Sequence, residues 1–182
     1  MLIDILIDDI DLLNGANDAL QTLSYSVVSN SNDGLCAASI DSDGNLGVSY
    51  TIDDNGSCTI TVNADDSNGS TLDESFTVTV DPVNDPVTSG GISDYSVEED
   101  ADASSIADLD DVFDDIDLLN GDAVQTLSYS ASSDNDLCTV SIDSDASLSV
   151  SYTADGNGSC GITVTADDSN GSTLDEIFTV TV

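Results

Sequence analysis

The same words occur twice along this chain of 182 residues: "IDLLNG", "TLSYS", "GSC", "DDSNGSTLDE" and "FTVTV" each stand in two places and in the same order. The offset between copies drifts from 106 at Ile10/Ile116 to 104 at Thr22/Thr126 and 102 at Cys36/Cys138, so only small insertions separate them. Repetition on this scale means a unit that folds in roughly ninety residues and is used again. The second copy is the fuller one. Residues 92–106, "ISDYSVEEDADASSI", have no counterpart ahead of Met1, which makes the first copy truncated at its start.

Within each copy the dominant period is two. Leu148, Val150 and Tyr152 share one face of "SLSVSYT", and Phe178, Val180 and Val182 share one face of "FTVTV"; such alternation is the mark of a half-buried strand. Between these runs lie Asp-Gly at 43–44 and Asn-Gly beginning at 55, 68, 157 and 170, dipeptides that accept the positive backbone angles of hairpin turns. About seven short strands per copy with no helical period predict an all-β chain of two tandem immunoglobulin-like antiparallel sandwiches. Both prolines of the chain, Pro82 and Pro86, fall in "DPVNDPVTSGG". Proline cannot donate to a sheet ladder, and the two glycines that follow relax the backbone. The expected organisation is a first sandwich over 1–80, an acidic linker over 81–91 and a second sandwich over 92–182.

Charge then narrows what the sandwiches do. There are 37 Asp and Glu and no Lys, Arg or His, a formal net charge of −37. Salt bridges to basic side chains are impossible, and the carboxylates repel one another unless cations or salt neutralise part of them. Acidity that only keeps the surface soluble is the plainer reading. Nucleic acid and anionic membranes are excluded as partners, because both are bound through Lys and Arg. No run of 18 apolar residues predicts a membrane span, and no basic, apolar leader follows Met1; an export address is expected outside this sequence.

The acids also cluster with asparagines at strand ends: Asp81, Asn84 and Asp85 in the linker, Asp115, Asp117 and Asn120 before the second "TLSYS", and Asp168 after "TVTAD". Calcium takes six to eight oxygens from carboxylates, carboxamides and carbonyls, which such clusters supply. In these features the chain resembles the cadherin-like repeats, including the tandem arrays of bacterial surface proteins and adhesins. The resemblance rests on the linker D-P-V-N-D-P at 81–86, on D-I-D-L-L-N at 115–120 with "LSYS" after it, on "TVTADD" ending at Asp168, and on the early acids Glu98 and Glu99. It covers nearly the whole chain, although the acidic LDRE-type motif of that family has no counterpart here.

The resemblance implies calcium at the junction between successive repeats. Asp81, Asn84 and Asp85 would bridge to Asp115, Asp117, Asn120 and Asp168; Glu98 and Glu99 would serve the next junction; and Asp9, Asp11, Asn14 and Asp66 of the first copy would serve one upstream. It further implies an extracellular or cell-surface spacer whose partners are neighbouring repeats or copies of the same chain, in a tandem array or homopolymer. A carbohydrate-binding module with surface glycans as partners is the alternative. Against it stand the absence of Trp and the tyrosines of "LSYS" and "VSYT", which keep phase with core positions; Tyr95 is the freest aromatic.

Each copy carries two cysteines 22 residues apart, Cys36 with Cys58 and Cys138 with Cys160. Cys138 shares parity with Val140 and Ile142, and Cys160 with Ile162 and Val164, so both are expected to point inward. One disulfide per copy is the favoured reading, two buried thiols the other. The sequons at Asn55, Asn68, Asn157 and Asn170 all read "NGS", either glycan acceptors or plain Asn-Gly turns followed by serine. Catalysis is not expected: without His or Lys the usual general bases and triads are missing. Finally, Leu2, Ile3, Ile5, Leu6 and Ile7 make the opening "MLIDILIDDI" more apolar than the matching "DLDDVF". Such a strand is suited to completing a neighbour's sheet, so that copies would grow head to tail into a filament; a segment cut from a longer array is the competing explanation.

Overall fold

A computed structural model describes residues 22–119 and 125–182, and the chain divides into two compact units, Met1–Val83 and Asn84–Val182. Both are all-β sandwiches, as the alternation predicts, and each is described separately.

In the first unit, β1 (Ser24–Asn30), β4 (Gly56–Asp65) and β5 (Thr71–Val80) form one antiparallel sheet in the order β1-β4-β5. The second sheet is the hairpin of β2 (Cys36–Ile40) and β3 (Leu46–Tyr50). Its turn is closed by Asp41, whose Oδ1 accepts the backbone N–H groups of Asp43 and Asn45 at 2.9 Å each, while Gly44 takes φ +81°. An Asx turn with glycine at the left-handed position is what Asp-x-x-Gly chemistry supplies. Cys36, Leu46, Cys58, Ile60, Val62 and Val78 fill the core between the sheets.

The second unit contains β6 (Thr88–Ser89), β7 (Tyr95–Ser96), β8 (Ser104–Asp108), β9 (Phe113–Asp114), β10 (Ser128–Ser133), β11 (Cys138–Ile142), β12 (Ser147–Tyr152), β13 (Ser159–Asp167) and β14 (Thr173–Thr181). The order β10-β13-β14-β7 makes one sheet and β11-β12-β8 the other; β6 and β9 form a separate short ladder. The inner face of β13 carries Cys160, Ile162, Val164 and Ala166, all at most 1% exposed, against Phe178 and Val180 of β14 and Leu148 and Val150 of β12. Burying such side chains contributes about 1.5–3 kcal/mol each and is the main favourable term holding the two sheets together.

Three details depart from the simplest pattern. β7 runs parallel to β14, pairing Tyr95 with Val180 and Ser96 with Thr181. Two one-turn helices, Leu109–Val112 and Ile116–Leu119, interrupt the strands; a single turn is too short to leave a 3.6-residue period in the sequence. Asp108 caps the first by accepting from the Asp110 N–H, and Leu109 is fully buried. The tyrosines of "VSYT" also differ: Tyr152 is half-buried, but Tyr50 is 44% exposed, contrary to its expected core phase. β12 is flanked by both β11 and β8, whereas among the described residues β3 has only β2 beside it.

Both cysteine pairs are disulfides, Cys36–Cys58 with Cα atoms 6.4 Å apart and Cys138–Cys160 with 6.2 Å. In each unit the bond ties one sheet to the other, β2 to β4 and β11 to β13. Such bonds persist in oxidising surroundings.

Candidate metal centre

At one end of the second unit, four polar side chains are buried: Asp115, Asp117, Gln125 and Asp168, all between 0% and 7% exposed. They come from the segment between β9 and β10 and from the turn between β13 and β14, and the N-terminal segment Asn84–Val87 lies across them. The Asn84 carboxamide donates to Asp168 Oδ2 at 2.9 Å, and its oxygen accepts from Asn170 Nδ2 at 2.8 Å and Gln125 Nε2 at 3.2 Å. Gln125 Nε2 also donates to Asp115 Oδ2 at 3.0 Å. The backbone N–H of Asp85 donates to Asp117 Oδ2 at 2.8 Å, and that of Val87 to Ser172 Oγ at 3.0 Å. The start of the unit is thus held by side chains 32 to 86 residues further along.

Local chemistry positions each carboxylate. Asp168 Oδ1 accepts the backbone N–H groups of Asn170 and Ser172 at 2.8 and 2.9 Å, which closes the turn and leaves Oδ2 for Asn84. Asp115 Oδ1 accepts the Asp117 N–H at 3.0 Å at the start of the Ile116–Leu119 turn, leaving Oδ2 for Gln125. Burial works to raise the Asp168 pKa, but the hydrogen bonds from Asn84, Asn170, Ser172 and Gly171 together hold it below the ordinary 3.8. A depressed pKa contributes stability that is full above the unfolded value and lost as pH falls through the folded one. The difference in unfolding free energy between wild type and Asp168→Asn should therefore stay constant from neutral pH to about pH 5 and shrink in more acid solution. Chemical denaturation across that range tests this, and a difference independent of pH would contradict it.

The donor set suits a hard cation, since every available group is a carboxylate or amide oxygen. It is not a preassembled cage. Among the described residues no group of three or more acidic side chains is close enough to hold an ion; amide N–H groups of Asn84 and Gln125 stand between the carboxylates and partly offset their charge. Turning those two carboxamides would present oxygens instead, and amide orientation is set by the hydrogen-bond network around it.

Of the ligands expected from the sequence, Asn84, Asp85, Asp115, Asp117 and Asp168 come together here. Asn120, Asp9, Asp11 and Asn14 lie outside the described residues, as does the apolar segment Leu2–Ile7. Asp81 is an exposed residue of the first unit, directly after β5. Asp66, the counterpart of Asp168, closes the same turn in the first unit by accepting from the N–H groups of Asn68 and Ser70. Glu98 and Glu99 follow β7 beside the C-terminal end of β14, where the Val97 N–H donates to the Thr181 carbonyl; this is the opposite end of the unit from Asp168.

Sequence reasoning missed Gln125 and gave Asn170 a different role. Gln125 has a signal, since "QTLSYS" is the full repeated word and Gln21 is its first-copy partner. Asn170 begins a sequon, yet its carboxamide belongs to the Asn84 network. Asn68 and Asn157 are exposed and Asn55 half-buried, all between strands. The glycines after the four sequon asparagines take φ between +104° and +136°, as Asn-Gly turns require. Tyr95, the freest aromatic, is 36% exposed and donates to Ser104 Oγ at 3.3 Å.

No protein-family model matches the sequence, and no curated protein matches it. Solved structures do. The chain is similar to human CDH23 EC21-23, with a TM-score of 0.54 and 14% identity over 87% of this chain and 57% of that one. It is similar to protocadherin gamma B2 extracellular cadherin domains 1-5, with a TM-score of 0.54 and 21% identity over 88% and 32% of the two chains. Protocadherin gamma B7 extracellular cadherin domains 1-4 give a TM-score of 0.52 and 18% identity over 88% and 40%. The chain thus spans less than two thirds of the length of each. The fold of this protein is cadherin-like.

Proposed function

We propose that the chain is an extracellular structural repeat, a spacer within a surface fibre, stalk or adhesin, whose linker is restrained by calcium. One observation supports this above the others: Asp115, Asp117 and Asp168 are buried around the segment Asn84–Asp85 in a protein with no Lys, Arg or His. Buried charge is tolerated when it is paired, hydrogen-bonded or bound to a metal. Amide and backbone N–H groups satisfy part of that need here, and a dication would satisfy the rest. Asn84 and Asp85 are the residues through which the linker enters the second unit, so an ion held by them and by Asp115, Asp117 and Asp168 would fix the linker's exit direction. Without the ion, mutual repulsion of the carboxylates favours a looser segment.

The disulfides and the cadherin-like fold support an extracellular setting, and no helix among the described residues is long and apolar enough to cross a membrane. Neighbouring repeats or further copies of the chain are the partners this role requires. Small-angle scattering tests the reading. With calcium the chain should scatter as one rigid conformation, and chelation should broaden the distribution of dimensions; profiles that superimpose with and without the ion would refute the spacer mechanism.

A further inference from the structure

The first unit contains a cleft of about 350 Å³ lined by Leu23, Tyr25, Ile40, Asp41, Asp43 and Gly44 among others. It lies between the start of β1 and the β2–β3 turn. The repeat shows what this place accommodates. The corresponding residues of the second unit are Leu127 and Tyr129 at the offset of 104, and Ile142, Asp143, Asp145 and Ala146 at the offset of 102. There the segment Leu109–Phe113 lies against them. Leu109 is fully buried and its N–H donates to the Ala146 carbonyl at 3.0 Å; the Tyr129 hydroxyl donates to Asp110 Oδ1 at 2.8 Å; and the Phe113 ring lies 5.8 Å from that of Tyr129. Leu127, Tyr129, Ile142 and Ala146 all pack against the core to which Leu109 and Phe113 belong. Among the described residues of the first unit, Ile40 packs against the core, and Leu23 and Tyr25 are half-buried.

The occupant of such a site is a short segment with apolar side chains four residues apart and a carboxylate directly after the first. At the offset of 106 that marks Ile10/Ile116, Leu109–Asp110–Asp111–Val112–Phe113 falls on Ile3–Asp4–Ile5–Leu6–Ile7. The pattern is kept: Ile3 for Leu109, Asp4 for Asp110, Ile7 for Phe113. We propose that this cleft is the docking site of the chain's own segment Ile3–Ile7, with Ile3 and Ile7 seated as Leu109 and Phe113 are and the Asp4 carboxylate accepting from the Tyr25 hydroxyl.

Residues 3–7 lie outside the described residues, so the assignment rests on their sequence and on the cleft. Thr22 stands next to Leu23 in the cleft wall. From Ile7 to Leu23 is 16 residues, two more than the 14 from Phe113 to Leu127 that already suffice in the second unit. A tether of that length gives an effective concentration on the order of millimolar, which places the chain's own segment ahead of one from a second copy. The inference goes beyond the calcium reading and is independent of it, and it assigns the apolar opening residues to the interior of their own unit rather than to a filament.

A cross-link in the full-length chain tests it. Asp108 and Ser147 are register partners between β8 and β12, and their counterparts are Leu2 and Asn45. Disulfides need Cα atoms about 4.4–6.8 Å apart, as such cross-strand pairs provide. Mild oxidation of the double variant Leu2→Cys/Asn45→Cys should give a disulfide internal to one chain. It is mapped by mass spectrometry after cleavage at acidic residues, since there is no Lys or Arg for trypsin. Cross-linked dimers or ladders would show that a second copy supplies the segment, and failure to cross-link while both native disulfides form would show that the cleft does not receive it; either overturns the proposal. Amide hydrogen exchange on the unmodified chain gives a second reading. Protection over residues 3–7 is expected, with loss in Ile3→Asp while the second unit is unchanged; rapid exchange there in wild type would also overturn it.

Discussion

Adding calcium should stabilise the second unit, and Asp115→Asn should remove that gain, lowering stability further with calcium than in the metal-free protein. A ligand that binds only the folded state stabilises it by RT ln(1 + [L]/Kd), about 2.7 kcal/mol at one hundred times the dissociation constant. Extracellular modules bind calcium at roughly 10⁻⁴–10⁻³ M, so tens of millimolar approach this condition. For a unit of this size each kcal/mol moves the melting temperature by about 4–8 °C, which puts the expected shift at about 10–20 °C. Magnesium should do less, because it demands a tight octahedron and gives up its waters reluctantly.

The calcium dependence of the Asp115→Asn effect separates a metal ligand from a structural carboxylate. Asp115 is fully buried; its Oδ1 accepts from the Asp117 N–H and its Oδ2 from Gln125 Nε2. Asparagine keeps one oxygen and can serve only one of these two donors, but it also removes a buried charge that no basic side chain offsets, so without metal the change should cost at most about 1–3 kcal/mol. With calcium the same change withdraws a charged ligand and should cost most of the gain. Thermal melting of both proteins, with calcium and with chelator, checks all four values. A deficit of equal size in both conditions would make Asp115 a structural residue, and an absence of any calcium shift in wild type would remove the metal altogether.

The sandwich was readable because a strand writes its two faces into alternate residues. Leu148, Val150, Phe178 and Val180 share parity in the sequence and share the core in the fold. The positive-φ glycines at 44, 56, 69, 158 and 171 sit where Asn-Gly and Asp-Gly turns were expected. Of the polar end, Asn84, Asp85, Asp115, Asp117 and Asp168 were visible as acids and amides spaced around strand ends. The donors that hold them apart were not. Gln125 and the Asn170 carboxamide are neutral groups without periodicity, and nothing in a linear sequence says which way an amide turns. The Leu109–Val112 turn was hidden for a different reason, being one turn long inside "DLDDVF", where acids mask the buried Leu109. Tyr50 kept the parity of a core residue but is exposed, because parity names a face and burial depends on what lies over it.

The disulfides carry the other large effect. Removing the second as Cys138→Ala/Cys160→Ala should cost about 3 kcal/mol, from the chain-entropy estimate for a loop of this length. That corresponds to a fall of about 12–24 °C in the melting of the second unit, with the first unit unchanged because its own bond, Cys36–Cys58, is intact. Alanine is the suitable replacement. Both sulfurs are buried, at 3% and 1% exposure, and serine would add the cost of enclosing hydroxyls without partners. Because the bond joins β11 of one sheet to β13 of the other, its loss acts where the two layers meet rather than along a hairpin. A reductant should leave the folded protein oxidised, since a thiolate must reach a sulfur to attack it. Reduction should appear only at temperatures where a unit opens. Calorimetry of the alanine variant, with thiol labelling of wild type during a heating ramp in reductant, measures both. Melting unchanged by the double substitution, or rapid reduction in the folded state, would show that the bond is neither a constraint on the unfolded chain nor sealed within the core.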